Sequence, residues 1–162
     1  MSKRYWVIAP YDSTSSDIFE KVWEYDLANG TIAIGWDELG DVSKLNKSEI
    51  KSRYEKIYGG KPGEISYGTN TIWKFYHEIK VGDVVIARCG RMKIRGIGTV
   101  TSQTFFDKKM GINRVGGLTD ETCSHFIKVE WGEVMNFEFG ELIFLLVLLC
   151  HLGIVNFVVY LL

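Results

Sequence analysis

The chain has 162 residues, 46% of them hydrophobic and 14% aromatic, which excludes a disordered polymer and suits one domain with its own core. A formal net charge of −1 excludes a polyanion binder that works by bulk charge alone. Three scattered cysteines, Cys89, Cys123 and Cys150, form no CxxC pair, which argues against a disulfide framework or a zinc site and suits a reducing cytoplasm.

Tyr5 to Ala9 (YWVIA) has the composition of a buried strand, closed by Pro10. The polar loop YDSTSS follows, with Ser15 or Ser16 placed to cap a helix over about Asp17 to Asp26. Ile18, Phe19, Val22 and Trp23 share one face of that helix. Asn29-Gly30 marks a turn, and Thr31 to Ile34 forms the second strand. Ile50, Tyr54 and Ile57 recur at helical spacing in a charged helix over about Lys47 to Tyr58. Four glycines and Pro62 make Gly59 to Gly68 a predicted loop, before a short helix over about Asn70 to Glu78.

Ile79 to Asp83 is a tight turn into an apolar strand, Val84 to Ala87. Cys89-Gly90-Arg91 reads as a hairpin turn. Ile94 to Thr101 (IRGIGTVT) alternates with glycine, as a bent barrel strand does. Gln103 to Cys123 is predicted as a long, partly irregular loop, and His125 to Trp131 as a strand. Short, closely spaced, bent strands with helices between them predict an α+β domain, a small β-barrel with flanking helices.

The chemistry-bearing signatures of common enzymes are missing. The sequence contains no GxxxxGK[ST] loop, no GxSxG elbow and no HExxH pair. His77, His125 and His151 are dispersed, and Cys89 beside Arg88 and Arg91 has no marked partner base. No catalytic residue, metal ligand or cofactor is therefore assigned.

Charge is uneven. Lys74 to Arg114 holds nine bases against three acids, whereas the first 73 residues hold nine bases and eleven acids. A local basic face can meet phosphate or simply be solvated. Trp36 follows an apolar strand and a glycine and precedes Asp37, Glu38 and Gly40, so it stands where a strand gives way to a loop. It either caps the core or faces a ligand.

Four segments in order carry a family resemblance: YWVIAPYD, IAIGWDELGD, IKVGDVVIARCGRMKIRGIGTV and FIKVEW. Together they resemble the PUA-like superfamily, in particular its EVE and YTH branches, over about Tyr5 to Trp131. The Gly-Trp-Asp-Glu-Leu-Gly form is also similar to the N-terminal modules of McrB-type, modification-dependent restriction systems. The resemblance implies a PUA-like barrel that flips a modified, methylated base of DNA out of the stack and holds it in an aromatic cage. It implies Trp36 as the first cage wall and Phe105, Phe106 and Leu118 as the other walls. Tyr11, Asp12 and Asp17 are its implied contacts to the base edge. Arg88, Arg91, Lys93 and Arg95 are the residues it implies on the nucleic-acid backbone. Trp6, Trp23, Trp73 and Trp131 fall to the core. The implied partners are nucleic acid and the motor and nuclease subunits of a restriction system. Two alternatives stay open, an RNA-binding PUA-like protein of RNA modification or translation and a small-ligand or hydrolase variant of the fold.

The domain is expected over 1–139, followed by an apolar tail over 140–162. Leu142 to Leu162 contains no Asp, Glu, Lys or Arg, and 21 residues of helix would reach about 32 Å, close to the ~30 Å hydrocarbon core. Acidic flanks, Gly153 and Asn156 weaken that match. The tail reads as a membrane-inserting helix or as a packed or non-native extension. The expected location is accordingly cytoplasmic, or membrane-associated if the tail inserts.

Overall fold

The computed structural model describes residues 4–90 and 93–132 and the backbone of 137–138 and 157–158. In chain order the elements are β1 (Tyr5–Ile8), α1 (Ser16–Asn29), β2 (Thr31–Ile34), a single 3-10 turn (Asp37–Leu39), α2 (Lys47–Tyr58), α3 (Pro62–His77), β3 (Val84–Cys89), β4 (Lys93–Val100), β5 (Phe105–Phe106), α4 (Lys108–Val115), β6 (His125–Trp131), β7 (Phe137–Glu138) and β8 (Phe157–Val158). The fold is α+β. Its mixed sheet runs β2-β6-β4-β3-β1-β8, with β5 on β6 and β7 on β4, and curls into a half-barrel. β1 runs parallel to β3 and to β8, and the remaining pairs are antiparallel. Among the described residues β1 and β2 do not pair, and the strand order ends at β2 on one side and at β8, beside β1, on the other.

The curl has a local cause. A Cβ on Gly96 would lie 2.8 Å from the Trp23 ring, and one on Gly98 would lie 2.4 Å from Val129. The two glycines let α1 and β6 press close to β4, and Trp23 and Trp131 meet edge to face at 5.1 Å. Trp6, Phe19, Trp23, Ile32 and Ile127 fill the enclosed core. Trp73 and Trp131 pack on it partly buried, so all four assigned tryptophans serve the core.

Two predicted loops are helices. Gly59 to Gly68 is expected to be irregular, but α3 begins at Pro62. Proline at the first helical position gives up only an N–H that would have no helical partner anyway. The Glu64 carboxylate accepts the Lys61 N–H at 3.0 Å and closes the entry. Gly68 serves packing, since its missing Cβ would lie 2.3 Å from the Tyr54 ring of α2. Substituting alanine there should cost about 1–3 kcal/mol by overpacking, read as a lower urea midpoint at unchanged slope. The second correction is α4, inside the expected loop Gln103 to Cys123. Asp107 caps it by accepting the Met110 N–H at 2.9 Å, and Gly116 ends it at φ +59. Gly111 sits inside this helix because a Cβ there would lie 2.1 Å from Ser124 Oγ.

The helix expected over Asp17 to Asp26 is longer, Ser16–Asn29, with Gly30 in the left-handed conformation as its stop. Of the apolar tail, Phe157–Val158 pairs with β1 at Tyr5 and Trp6. The expectation of an inserted or packed tail otherwise lies outside the described residues. Among the described residues no helix is long and apolar enough to cross a membrane.

Candidate nucleic-acid interface

A cleft of about 520 Å³ lies beyond the carboxyl ends of β1 and β2. This volume lies in the range of small-ligand sites. Its walls come from the loop after β1 (Pro10, Tyr11, Asp12, Ser13), the end of β2 (Ala33 to Trp36), Tyr67 of α3, the hairpin after β3 (Arg88, Gly90) and the segment before β6 (Glu121, Thr122, Cys123).

Trp36 is held at the mouth in an unusual way. It is the one non-glycine among the described residues with positive φ, at φ 67 and ψ 39. A bulky side chain in that region costs about 1–3 kcal/mol and persists only where its surroundings fix it. Here they do. The Trp36 carbonyl accepts the Leu39 N–H at 3.0 Å and His125 Nε2–H at 3.2 Å, and its indole N–H donates to the Tyr54 hydroxyl at 3.3 Å. The neighbouring Asp37 carboxylate accepts the Ser124 N–H at 2.7 Å and the hydroxyls of Thr122 and Ser124. The strand-end turn is thereby fastened to the segment before β6, which also lines the cleft.

His125 acts as a neutral strut. Burial pushes its pKa down. With Nε2–H donating to Trp36, Nδ1 accepts the Tyr76 hydroxyl at 2.7 Å, and burial pushes that phenol up, keeping its proton in place. A histidine whose folded pKa lies below its unfolded value contributes stability fully above the ordinary histidine pKa, and loses it as pH falls through that value toward the folded one. Wild type should therefore lose more urea midpoint than His125→Gln between about pH 7.5 and about pH 5.5. Equal losses would mean that the strut does not titrate there.

Across the cleft, the Tyr11 hydroxyl donates to the Glu121 carbonyl at 3.0 Å. Asp12 accepts the Thr14 N–H at 2.9 Å, which holds its carboxyl below the usual range. Arg88 lines the cleft while its Nη1 donates to the Gly90 carbonyl at 2.5 Å. Burial pushes the Cys123 thiol up, so it remains a thiol and a poor nucleophile.

Of the residues expected at the site, the cleft brings together Trp36, Tyr11, Asp12 and Arg88. Asp17 is exposed in the first turn of α1 and does not line it. Phe105 stacks on Phe126 at 5.7 Å and Phe106 lies on His125 at 4.9 Å, because β5 pairs with β6. Phe106 buttresses the histidine at β6, and neither residue lines the cleft. Leu118 is 55% exposed beyond α4 and does not line the cleft. Arg95 points to α1, with its guanidinium paired to Glu20 and over the Phe19 ring. Lys93 is exposed at the start of β4, and Arg91 lies outside the described residues. Tyr67, Glu121, Thr122 and Cys123 are cleft residues that sequence reasoning missed. Tyr67 had one usable signal, the helical spacing of Ile65, Ile72 and Phe75 behind Pro62.

Fold and cleft together define a curled-sheet α+β domain with an aromatic-lined site beyond the ends of β1 and β2. The chain belongs to the family DUF8426, described as a domain of unknown function, whose pattern matches residues 6–140. No curated protein matches its sequence.

Proposed function

We propose that this domain is a PUA-like, EVE/YTH-type binding module that takes a modified, methylated base of DNA out of the stack and holds it in the cleft beside Trp36. The observation that carries the proposal is the fastened, left-handed Trp36 at the cleft mouth. Strain of this kind clusters at ligand sites, and Trp36, partly buried against the core, keeps part of its ring on the cleft. A flat aromatic is what an extruded base stacks on, worth about 1–3 kcal/mol per base. Tyr11 and the half-exposed Tyr67 add further aromatic surface, and a base methyl would gain from burial there. The module binds and does not catalyse, and in a restriction system its partners would be motor and nuclease subunits.

Arg88 at the cleft and Lys93 on β4 supply positive charge for phosphate. Arg88→Ala and Lys93→Ala should weaken binding to all sequences alike and lower the salt slope by about one each. Arg95→Ala should leave the slope unchanged, because its charge is already engaged by Glu20.

The test is equilibrium titration, at two salt concentrations, of duplex DNA and RNA carrying one N6-methyladenine, one 5-methylcytosine or neither. Tighter binding of one modified DNA supports the proposal. Equal affinity for plain RNA would make the domain an RNA binder, and no binding to any strand would point to a small ligand.

A further inference from the structure

The side chains at the cleft divide into flat rings and hydrogen-bond acceptors. Trp36, Tyr11 and the 49% exposed Tyr67 supply the rings. Among the described residues the charged groups lining it are Asp12, Glu121 and Arg88, two carboxylates against one guanidinium. Asp12 and Glu121 are exposed at the rim. The Thr14 N–H occupies one position on the Asp12 carboxylate and favours its ionised form, and an ionised carboxylate accepts at several more. Two carboxylates repel phosphate, so the nucleic-acid backbone stays outside, and Arg88 disfavours a cationic occupant. What suits this rim is a neutral group with several donors and an apolar face to lay on a ring. Size points the same way. A cleft of about 520 Å³ fits a drug-sized occupant, whereas a methylated cytosine or adenine is one small ring system with a single added carbon.

We infer that the modification read at this cleft is a hydroxylated substituent, a hydroxymethyl group on cytosine or its glucoside, with hydroxyls donating to Asp12 and Glu121. The inference rests on the base extrusion proposed above and extends the methyl group to a larger, donor-bearing one. Trp36 then stacks on the base, and the C–H face of the sugar lies on a tyrosine ring, where its apolar area leaves water. A hydroxyl donating to an ionised carboxylate makes a bond about twice as strong as one between neutral groups. A methyl group offers the carboxylates nothing and leaves most of the cleft to water.

The test titrates the full chain with one duplex sequence carrying, at a single position, cytosine, 5-methylcytosine, 5-hydroxymethylcytosine or its glucosylated form, and with a matched N6-methyladenine duplex. The glucosylated duplex should bind roughly 10- to 150-fold more tightly than the 5-methylcytosine duplex, with 5-hydroxymethylcytosine between them. Glucose adds no charge, so the two should share one salt slope. Glu121→Gln and Asp12→Asn keep the size of exposed side chains and remove their charge. Each should lower the ratio of glucosylated to methylated affinity several-fold. An unchanged ratio in both variants would overturn the inference. So would 5-methylcytosine or N6-methyladenine bound as tightly as the glucosylated base, a result that leaves the proposed function standing if the methylated base is preferred to the plain one. Failure to prefer any modified base would overturn both.

Discussion

Arg114→Leu is expected to cost about 3–5 kcal/mol of stability, because it leaves a carboxylate alone in the core. Arg114 and Asp26 are both fully buried. Arg114 Nε and Nη2 donate to the two Asp26 oxygens at 2.9 and 2.5 Å, and Nη2 also donates to the Pro10 carbonyl at 2.9 Å. Thr31 adds a hydroxyl donor to Asp26 at 3.1 Å. Burial pushes the Asp26 carboxyl up while Arg114 and Thr31 pull it back. The pair thus joins α4, α1, the start of β2 and the end of β1, directly behind the cleft wall at Pro10. An apolar pair of similar volume avoids the desolvation of both charges, so Asp26→Leu with Arg114→Leu should recover much of the loss. Urea denaturation of wild type, the single variant and the double variant checks this. A single-variant loss below about 1 kcal/mol would show that the pair contributes little to the fold.

Trp36→Ala is expected to lose about 1–3 kcal/mol of discrimination between modified and plain base, roughly 5- to 150-fold, while the protein stays folded. Alanine keeps the unfavourable positive φ, whereas glycine adopts it freely. Trp36→Gly should therefore be more stable than Trp36→Ala by about 1 kcal/mol and equally poor at discrimination. Matched titrations and urea curves separate the two effects. If Trp36→Ala unfolds, Trp36 belongs to the core and its strain serves packing.

The elements legible in the sequence are those whose pattern is set by a single rule. β2, α2 and β6 appear at the expected residues because short apolar runs, helical spacing and an Asn46–Glu49 capping box all act locally. α3 and α4 are obscured because Gly68 and Gly111 are demanded by Tyr54 and Ser124, partners 14 and 13 residues away in sequence. The site divides along the same line. Trp36 is legible as a strand-end residue, whereas Tyr11 and Asp12 are reached only through the family resemblance. Tyr67 and Cys123 reach the cleft only through tertiary packing, and Phe105 and Phe106 are drawn away from it by pairing with β6. Arg95 reads as a free base in a basic stretch, yet strand alternation turns it toward Glu20.

Extrusion of the base into the cleft is the central claim, and fluorescence of 2-aminopurine placed next to the modified base tests it most directly. Removing a base from the stack relieves the quenching of its neighbour. Saturating the modified duplex with wild-type protein should raise the emission well above that of the free duplex, with no rise for the plain duplex bound at the same occupancy. Tight binding of the modified duplex without any rise in emission would contradict it.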